Sequence, residues 1–385
     1  MNGPLDGIRV LDLSRLLPGP FATRTLRDLG AVVDKLEDPR GGDYLRRMPP
    51  SAGDGMNSVF HDLNRGKRSV ALDLKRPEGR DVFLRLIERY DVLVESFRPG
   101  VMDRLGVGWE TLRRRHRGLV YCAITGYGQT GPLKDRAGHD LNYLARAGVL
   151  GLTGPADGPP QVPGVQAADI GGALYAVIGI LAALHERRRT GEGRLVDVSM
   201  CEAALSLAPF GFGSFVGGMH ADRGRDVLTG GIAAYQTYET RDGGFMALAA
   251  LEPKFWTAFC QGVGLEPDLR ALAPGPHQEG PEGFKAKVAA IFRRKTRAEW
   301  IAFADATDCC LEPVLSPEET LADAQHRARG VFARGAGFVR TRTPVALAAQ
   351  GEAPAQGEHT ADVLREAGFT DEALEALRTS GAVKG

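Results

Sequence analysis

The chain has 385 residues, of which 43% are hydrophobic and 25% charged, a composition typical of a soluble globular protein. It is too long for one ordinary core and long enough for two domains. The 48 basic and 48 acidic side chains cancel, so no global field favours nucleic acid or a membrane surface as a partner, and any anionic ligand needs a local group of cations.

The first third of the chain alternates short apolar runs with helical segments. "IRVLDLS" (8–14), "AVVDKLE" (31–37), "SVALDL" (69–74), "DVLVES" (91–96) and "GLVYCAIT" (118–125) predict strands. Helices are predicted after Pro18 and Pro20, ending at Gly30, and from about Pro77 to Tyr90. This alternation predicts a parallel sheet with helices on its faces, a Rossmann-like α/β lobe. No G-x-G-x-x-G follows the first strand, so ordinary dinucleotide binding is not expected.

Two helices, about 140–151 and 170–189, and a strand at 194–200 complete this lobe. A glycine-rich passage follows residue 205, then a predicted hairpin turning at "RDGG" and helices near 253–263, 281–293 and 297–306. We therefore predict a large domain of residues 1–205, completed by 330–385, and a smaller α+β domain of residues 206–329 with linkers. Loose connections are predicted near 205–230 and 330–358.

Targeting and redox features favour a cytoplasmic protein. The N-terminus lacks the basic and apolar regions of a signal peptide, and no apolar run is expected to span a bilayer. Five cysteines without a C-x-x-C pair indicate reduced thiols. The eight histidines lack metal-ligand spacing, so no metal site is expected.

Three residues are candidates for acid/base chemistry. His139, in "AGHDLNYLARAG", stands where a loop from the carboxyl end of a strand enters a helix; it could equally fix a turn. Asp169 in "VQAADIGGALYA" is interpreted as the N-cap of the long apolar helix. Glu252 in "ALEPKFW" precedes Pro253 at a helix start, and a carboxylate near His139 would orient its ring.

Several cations follow or separate the predicted strands and are candidates for binding a polyphosphate. Isolated arginines are usually solvated surface groups, but several at one sheet edge would suit phosphate. The candidates are Arg40, Arg65, Lys67, Arg68 and Arg98.

These motifs together resemble CoA-transferase family III, the CaiB/BaiF family. The resemblance runs from "GIRVLDLSRLLPGPFATRTLRDLGA" through "NRGKRSVALDLK", "VESFRPGVMDRLGVGWETL", "AITGYGQTGP" and "AADIGGALYAVIGILAAL" to "GEHTADVLREAGF". "AGHDLNYLARAG" and "LEPKFW" are most similar to the α-methylacyl-CoA racemase branch. The run of four glycines found in formyl- and oxalyl-type transferases is absent from the "RDGG" turn.

The resemblance implies a racemase or epimerase that inverts the α-carbon of a 2-methylacyl-CoA through an enolate. His139 and Asp169 would be the two acid/base groups, Glu252 would partner His139, and backbone N–H groups near Asp140 would stabilise the enolate oxygen. CoA would lie near the five cations, and no cofactor beyond CoA is implied. The family architecture implies an interlocked homodimer, in which Glu252 would come from the partner subunit.

Two alternatives remain open. In a CoA-transferase, Asp169 would be the nucleophile that forms a mixed anhydride, and CoA would move to a carboxylic acid. A non-catalytic acyl-CoA-binding protein would keep the fold without either reaction.

Overall fold

The computed structural model describes residues 3–218, 222–334, 339–345 and 351–385. Parts of the predicted connections at 205–230 and 330–358 fall outside these residues. The strands are β1 (Arg9–Asp12), β2 (Val32–Glu37), β3 (Arg68–Leu72), β4 (Val92–Glu95), β5 (Val120–Thr125), β6 (Leu195–Ser199), β7 (Tyr235–Glu239), β8 (Phe245–Ala249), β9 (Leu311–Pro313), β10 (Phe332–Arg334), β11 (Val339–Thr341) and β12 (Val383–Lys384).

The helices alternate with the strands in the first half of the chain. They are α1 (Pro18–Asp28), α2 (Ser58–Asn64), α3 (Pro77–Leu86), α4 (Val101–Arg104), α5 (Trp109–Arg115), α6 (Asp140–Arg146), α7 (Ala167–Thr190), α8 (Met200–Ser206), α9 (Pro209–Val216), α10 (Pro253–Val263), α11 (Phe284–Phe292), α12 (Arg297–Ala306), α13 (Pro317–Ala322), α14 (Ala324–Ala328), α15 (Thr360–Glu366) and α16 (Asp371–Thr379).

The chain forms two compact units. The first contains residues 1–147, 166–207 and 325–385, and the second contains 148–165 and 208–324. Residues 148–165 therefore belong to the second unit, whereas they were predicted to lie in the large domain.

The first unit is built on a seven-stranded sheet in the order β12-β3-β2-β1-β4-β5-β6. All neighbouring pairs are parallel except β12 with β3. The predicted α/β class with a mostly parallel sheet is confirmed. The strand order changes direction between β1 and β4, and in parallel α/β sheets ligands bind outside the carboxyl ends of the strands at such a point.

Buried ion pairs join the carboxyl end of β1, strand β2 and the residue that precedes β3. The Lys67 ammonium lies 3.0 Å from the carboxylate of Asp12, and both side chains are fully buried. Lys35 on β2 pairs with Asp43 at 3.0 Å and donates a hydrogen bond to the Ser14 carbonyl at 2.8 Å. Charges in a dry interior must be paired in this way. Because Ser14 and Asp43 lie after β1 and β2, these contacts hold the loops that follow the two strands.

Helix α7 packs against α1, α6 and α8 and covers β5 and β6. Its glycines permit this close approach: a Cβ at Gly179 would lie 2.5 Å from Val196 Cγ1, and one at Gly172 would lie 2.8 Å from Met200 Cγ. By length and composition α7 could also cross a membrane, contrary to our expectation that no run would qualify, and half of its apolar window is buried in the structure.

The second unit has its own core beside the antiparallel sheet β7-β8-β9. The aromatic rings of Trp256, Phe259, Phe292 and Trp300 pack together there, with neighbouring centroids 4.5–6.4 Å apart. Strands β7 and β8 form the predicted hairpin. The unit can thus bury its apolar surface independently.

Candidate active site

A cavity of about 650 Å³ opens at the carboxyl edge of the parallel sheet, within the first unit. Its walls come from the segments that follow β1, β4 and β5 and from the starts of α6 and α7. His139 and Asp169, which lie 30 positions apart in the sequence, both line it. The segments after β1 and β4 flank the point where the strand order changes direction, so the fold places both candidate acid/base residues at the expected ligand crevice.

His139 stands immediately before α6, where its exposed ring faces the cavity. Its backbone N–H donates to Asn142 Oδ1 at 3.0 Å. The preceding residue is fixed by Tyr143, whose hydroxyl donates to the Gly138 carbonyl at 2.5 Å. A Cβ at Gly138 would lie 2.7 Å from the Tyr143 ring. The backbone that bears His139 is thus held by contacts to the first turn of α6.

Asp169 lies in the first turn of α7, not at its N-cap as predicted; Gln166 occupies the N-cap position. The residue is partly buried, and burial together with the neighbouring charge of Asp140 raises the pKa of Asp169 to about 7. An acid with this pKa is present in both protonation states near neutral pH, which is the property a general acid/base needs.

Asp140 joins the two helix starts. Its carboxylate accepts hydrogen bonds from the backbone N–H groups of Ala168 at 2.8 Å and Asp169 at 3.0 Å. These bonds satisfy two N–H groups that the first turn of a helix leaves without intrahelical partners. Asp140 was singled out in the sequence only for nearby backbone N–H groups. In the structure its side chain also positions Asp169 relative to the start of α6.

Three of the predicted phosphate-binding cations are used inside the protein instead. Arg65 is buried and pairs with Asp28 at 2.5 Å and with Asp62 at 2.7 Å. Lys67 is buried against Asp12, and burial lowers its pKa to about 8. These two residues cannot reach a ligand in solvent, so the prediction that they bind CoA is wrong in this structure.

Arg68 also departs from the prediction. Its guanidinium pairs with Asp34 and Glu366, each at 2.6 Å, which ties β3 to β2 and to α15. Both carboxylates are within the first unit, so the charge of Arg68 is already neutralised. We assign it a structural role.

Arg40 and Arg98 remain accessible. Arg40 is exposed and interacts with Asp38 at 3.2 Å and Asp73 at 3.4 Å. Arg98, after β4, lines the cavity. The assignment of both to CoA stays a prediction.

Three further cations line the same cavity and were not predicted from the sequence: Arg15, Lys134 and Arg136. Arg15 follows β1, and its guanidinium carbon lies 5.5 Å from the centre of the Phe97 ring. Lys134 and Arg136 precede His139 on the loop from β5. Their positions after strands β1 and β5 were visible in the sequence, and the carboxyl-edge rule could have identified them.

Glu252 belongs to the second unit and immediately precedes α10. Its side chain does not cap the helix. Its predicted partnership with His139 stays a prediction. Among the described residues, no group of three or more His, Cys, Asp or Glu side chains is arranged to hold a metal ion.

Comparison with known proteins identifies the class. The model of CoA-transferase family III matches residues 5–360. The chain is 40% identical to alpha-methylacyl-CoA racemase of Mus musculus over 99% of this chain and 97% of that protein. It is 30% identical to succinyl-CoA:glutarate CoA-transferase of Mus musculus over 99% of this chain and 90% of that protein.

A solved structure agrees with these relatives. A CAIB/BAIF family protein from Brucella suis superposes with a TM-score of 0.83 at 32% identity, covering 95% of this chain and 100% of that one. The fold and the relatives together define an enzyme, either an isomerase or a transferase. The chain belongs to CoA-transferase family III, the CaiB/BaiF family.

Proposed function

We propose that the protein is a 2-methylacyl-CoA racemase or epimerase. The observation that supports this most directly is that His139 and Asp169 line one cavity, with the pKa of Asp169 raised to about 7. Inversion at an α-carbon needs one group to remove the proton from one face and another to return a proton to the opposite face. Of the relatives reported above, the one with the highest identity is an alpha-methylacyl-CoA racemase.

In the proposed reaction, His139 or Asp169 takes the α-proton, according to the configuration of the substrate. The electron pair moves into the thioester carbonyl and forms an enolate, whose oxygen is stabilised by backbone N–H groups near Asp140. The other residue then donates its proton to the opposite face of the α-carbon. Each transfer contributes about 10²–10⁴-fold to the rate.

CoA enters this reaction only as part of the substrate, and the steps require proton transfer alone. We place its phosphates beside Arg98 and Arg15, which follow β4 and β1 at the change of strand order, with Arg40 farther out on the loop after β2. Arg suits phosphate because its planar fork donates two parallel hydrogen bonds.

We further propose a homodimer in which Glu252 of one subunit orients His139 of the other. Leu174, Tyr175 and Ile178 on α7 are 45%, 42% and 59% exposed. A group of exposed apolar side chains on one helix is typical of an interaction surface. A second copy of the chain is the partner we propose for it.

Transfer of CoA to a carboxylic acid is the second candidate, and it is favoured by the CoA-transferases among the relatives. There the Asp169 carboxylate would attack the thioester carbonyl, form a mixed anhydride and release CoA. In that reaction His139 would not be essential, so the two candidates differ in what loss of His139 does.

The deciding experiment is incubation of one enantiomer of a 2-methylacyl-CoA with the purified protein in D₂O. We expect deuterium at the α-carbon and loss of optical purity, both reduced by about 10²–10⁴-fold in His139→Ala and in Asp169→Asn. His185→Ala, an exposed histidine on α7 outside the cavity, is the control. CoA transfer to an added carboxylic acid that needs Asp169 and tolerates His139→Ala would instead support the transferase.

A further inference from the structure

The cavity beside His139 and Asp169 has a strong excess of positive charge. Four cations line it: Arg15, Arg98, Lys134 and Arg136. Asp169 is the only carboxylate among the described residues that line this cavity, and none of the four cations forms an ion pair within the part of the chain that the structure describes. Unpaired cations converging on a cavity are typical of a site for an anionic ligand.

These cations do not serve to ionise Asp169. A nearby cation would lower the pKa of a carboxyl group. The pKa of Asp169 is instead raised, by burial and by Asp140. The excess positive charge therefore acts at some distance from the acid/base group, on a part of the ligand that does not react.

The four cations divide into two pairs by their place in the fold. Arg15 and Arg98 follow β1 and β4, where the strand order changes direction, and they suit the phosphates of CoA. Lys134 and Arg136 lie on the loop that leads into His139. Three residues of chain span at most about 11 Å, so Arg136 lies within reach of an acyl group whose α-carbon is at His139.

The loop that presents Lys134 and Arg136 is folded into two successive turns. The Lys134 N–H donates to the Gly131 carbonyl at 3.4 Å, and the Arg136 N–H donates to the Leu133 carbonyl at 2.9 Å. The long pantetheine arm separates the phosphates of CoA from its thioester. A thioester at His139 with an extended arm therefore leaves Lys134 and Arg136 without a phosphate.

We infer that Lys134 and Arg136 bind a carboxylate at the far end of the acyl chain, so that the substrate is the CoA thioester of a 2-methyl dicarboxylic acid. This inference rests on the position of the acyl group beside His139 in the proposed function. Arg and Lys recognise a carboxylate through charge-assisted hydrogen bonds. Both side chains are exposed, so beside a neutral fatty acyl chain only water would solvate their charges.

The test compares 2-methylglutaryl-CoA, joined to CoA at the carboxyl next to the branch, with its methyl ester. The ester lacks the negative charge of the acid and carries one additional methyl group. Calorimetry gives their dissociation constants for the wild type, for Lys134→Gln/Arg136→Gln and for Arg89→Gln. Arg89 is an exposed cation of the first unit that precedes β4, at the opposite edge of the sheet.

We expect the wild type and Arg89→Gln to bind the free carboxylate at least about tenfold more tightly than the ester, and Lys134→Gln/Arg136→Gln to lose that preference while binding the ester as before. Equal binding of the two thioesters by the wild type would overturn the inference. An equal loss of affinity for both in the double variant would also overturn it, because the pair would then bind CoA itself.

Binding is measured separately from turnover so that the two proposals can fail separately. A carboxylate preference without α-proton exchange in D₂O would support this inference and contradict racemisation. If the enzyme exchanges the α-proton of the ester and of the acid with the same kcat/KM, and binds both with the same affinity, racemisation would be supported and the inference contradicted.

Discussion

Asp140 affects Asp169 in two ways, through hydrogen bonds to the backbone and through its negative charge. Its carboxylate oxygen accepts the N–H groups of Ala168 and Asp169, which fixes the start of α7. Its negative charge also raises the pKa of the Asp169 carboxyl, as the smaller of two causes after burial. One side chain therefore sets both the position and the proton affinity of the proposed acid/base.

Asp140→Asn separates these two effects, because the amide oxygen can still accept the hydrogen bonds while the charge is lost. Asp169 removes a proton only when ionised, so the rate with the enantiomer that uses it as base rises as the pH passes its pKa of about 7. Without the neighbouring negative charge the ionised form is favoured, and the rising limb should move to lower pH. Because the Asp169 carboxyl stays partly buried in the variant, the midpoint of the rising limb should remain above the pKa of an ordinary aspartate.

The measurement is kcat/KM for each enantiomer between pH 5 and pH 9, in the wild type and in the variant. An unchanged rising limb in Asp140→Asn would contradict the electrostatic part of this account. The opposite enantiomer is the internal comparison: there Asp169 must be protonated to return the proton, so a limb that falls as the pH rises past its pKa should also move to lower pH in the variant.

Among the elements, β1, β2 and the residues before β3 are joined by charges that solvent does not reach. Asp12, Lys35 and Lys67 are all fully buried. Thr23 on α1 donates to Asp12 at 2.7 Å and accepts from Lys67 at 2.8 Å. This network lies directly below the loops that follow β1 and β2, so its integrity should affect folding first and ligand binding only indirectly.

Lys67→Met should therefore destabilise the protein. Removal of one partner of a buried ion pair costs about 3–5 kcal/mol, and we expect the lower end of that range because Lys35 still acts on Asp12. Denaturant unfolding measures the loss, and Asp12→Asn/Lys67→Met should recover part of it. Arg98→Gln is the matched comparison, which should weaken acyl-CoA binding with little change in unfolding free energy. If Lys67→Met instead leaves the unfolding free energy unchanged and weakens CoA binding, Lys67 binds CoA, as the sequence predicted.

The elements also show which parts of the fold the sequence predicts. Strands β1 to β6 were predicted because each is a short apolar run bounded by turn residues, and α10 and α12 agree with the predicted ranges. Strand β12 was not predicted, because two residues have no periodicity and its pairing with β3 joins Val383 to Leu72. Helix α6 is shorter than predicted, since the chain leaves it after Arg146.

The candidate site was predictable only in part, for a similar reason. The strand-edge position of His139 and the charge of Asp169 at a helix start are local features. Whether a loop cation is free depends on residues far away in the sequence: Arg65 pairs with Asp28, and Arg68 pairs with Glu366. No local pattern distinguishes these cations from Arg15 or Arg136.

For the whole molecule, the proposed dimer can be tested by complementation. His139→Ala and Glu252→Gln are each expected to lose most racemase activity. If Glu252 orients His139 of the other subunit, co-expression of the two variants produces mixed dimers in which one site has both defects and the other has none. Up to about half of the wild-type activity per mixed dimer should then return.

Activity is measured on mixed dimers purified with two different affinity tags, because an interlocked dimer would not exchange subunits after folding. If both residues act within one chain, every site keeps one defect and activity stays at the level of the single variants. That result would contradict the shared site while leaving the roles of the two residues intact.

The way the chain is distributed also matters during its synthesis on the ribosome. The first unit needs residues 325–385, which are translated only after the whole of 208–324. At about 5–20 residues per second, β3 emerges tens of seconds before β12 arrives to pair with it. For that time the nascent sheet has an open edge, a known site of mispairing between chains. Chaperone demand in a cell should therefore depend on how fast the second half of the message is read.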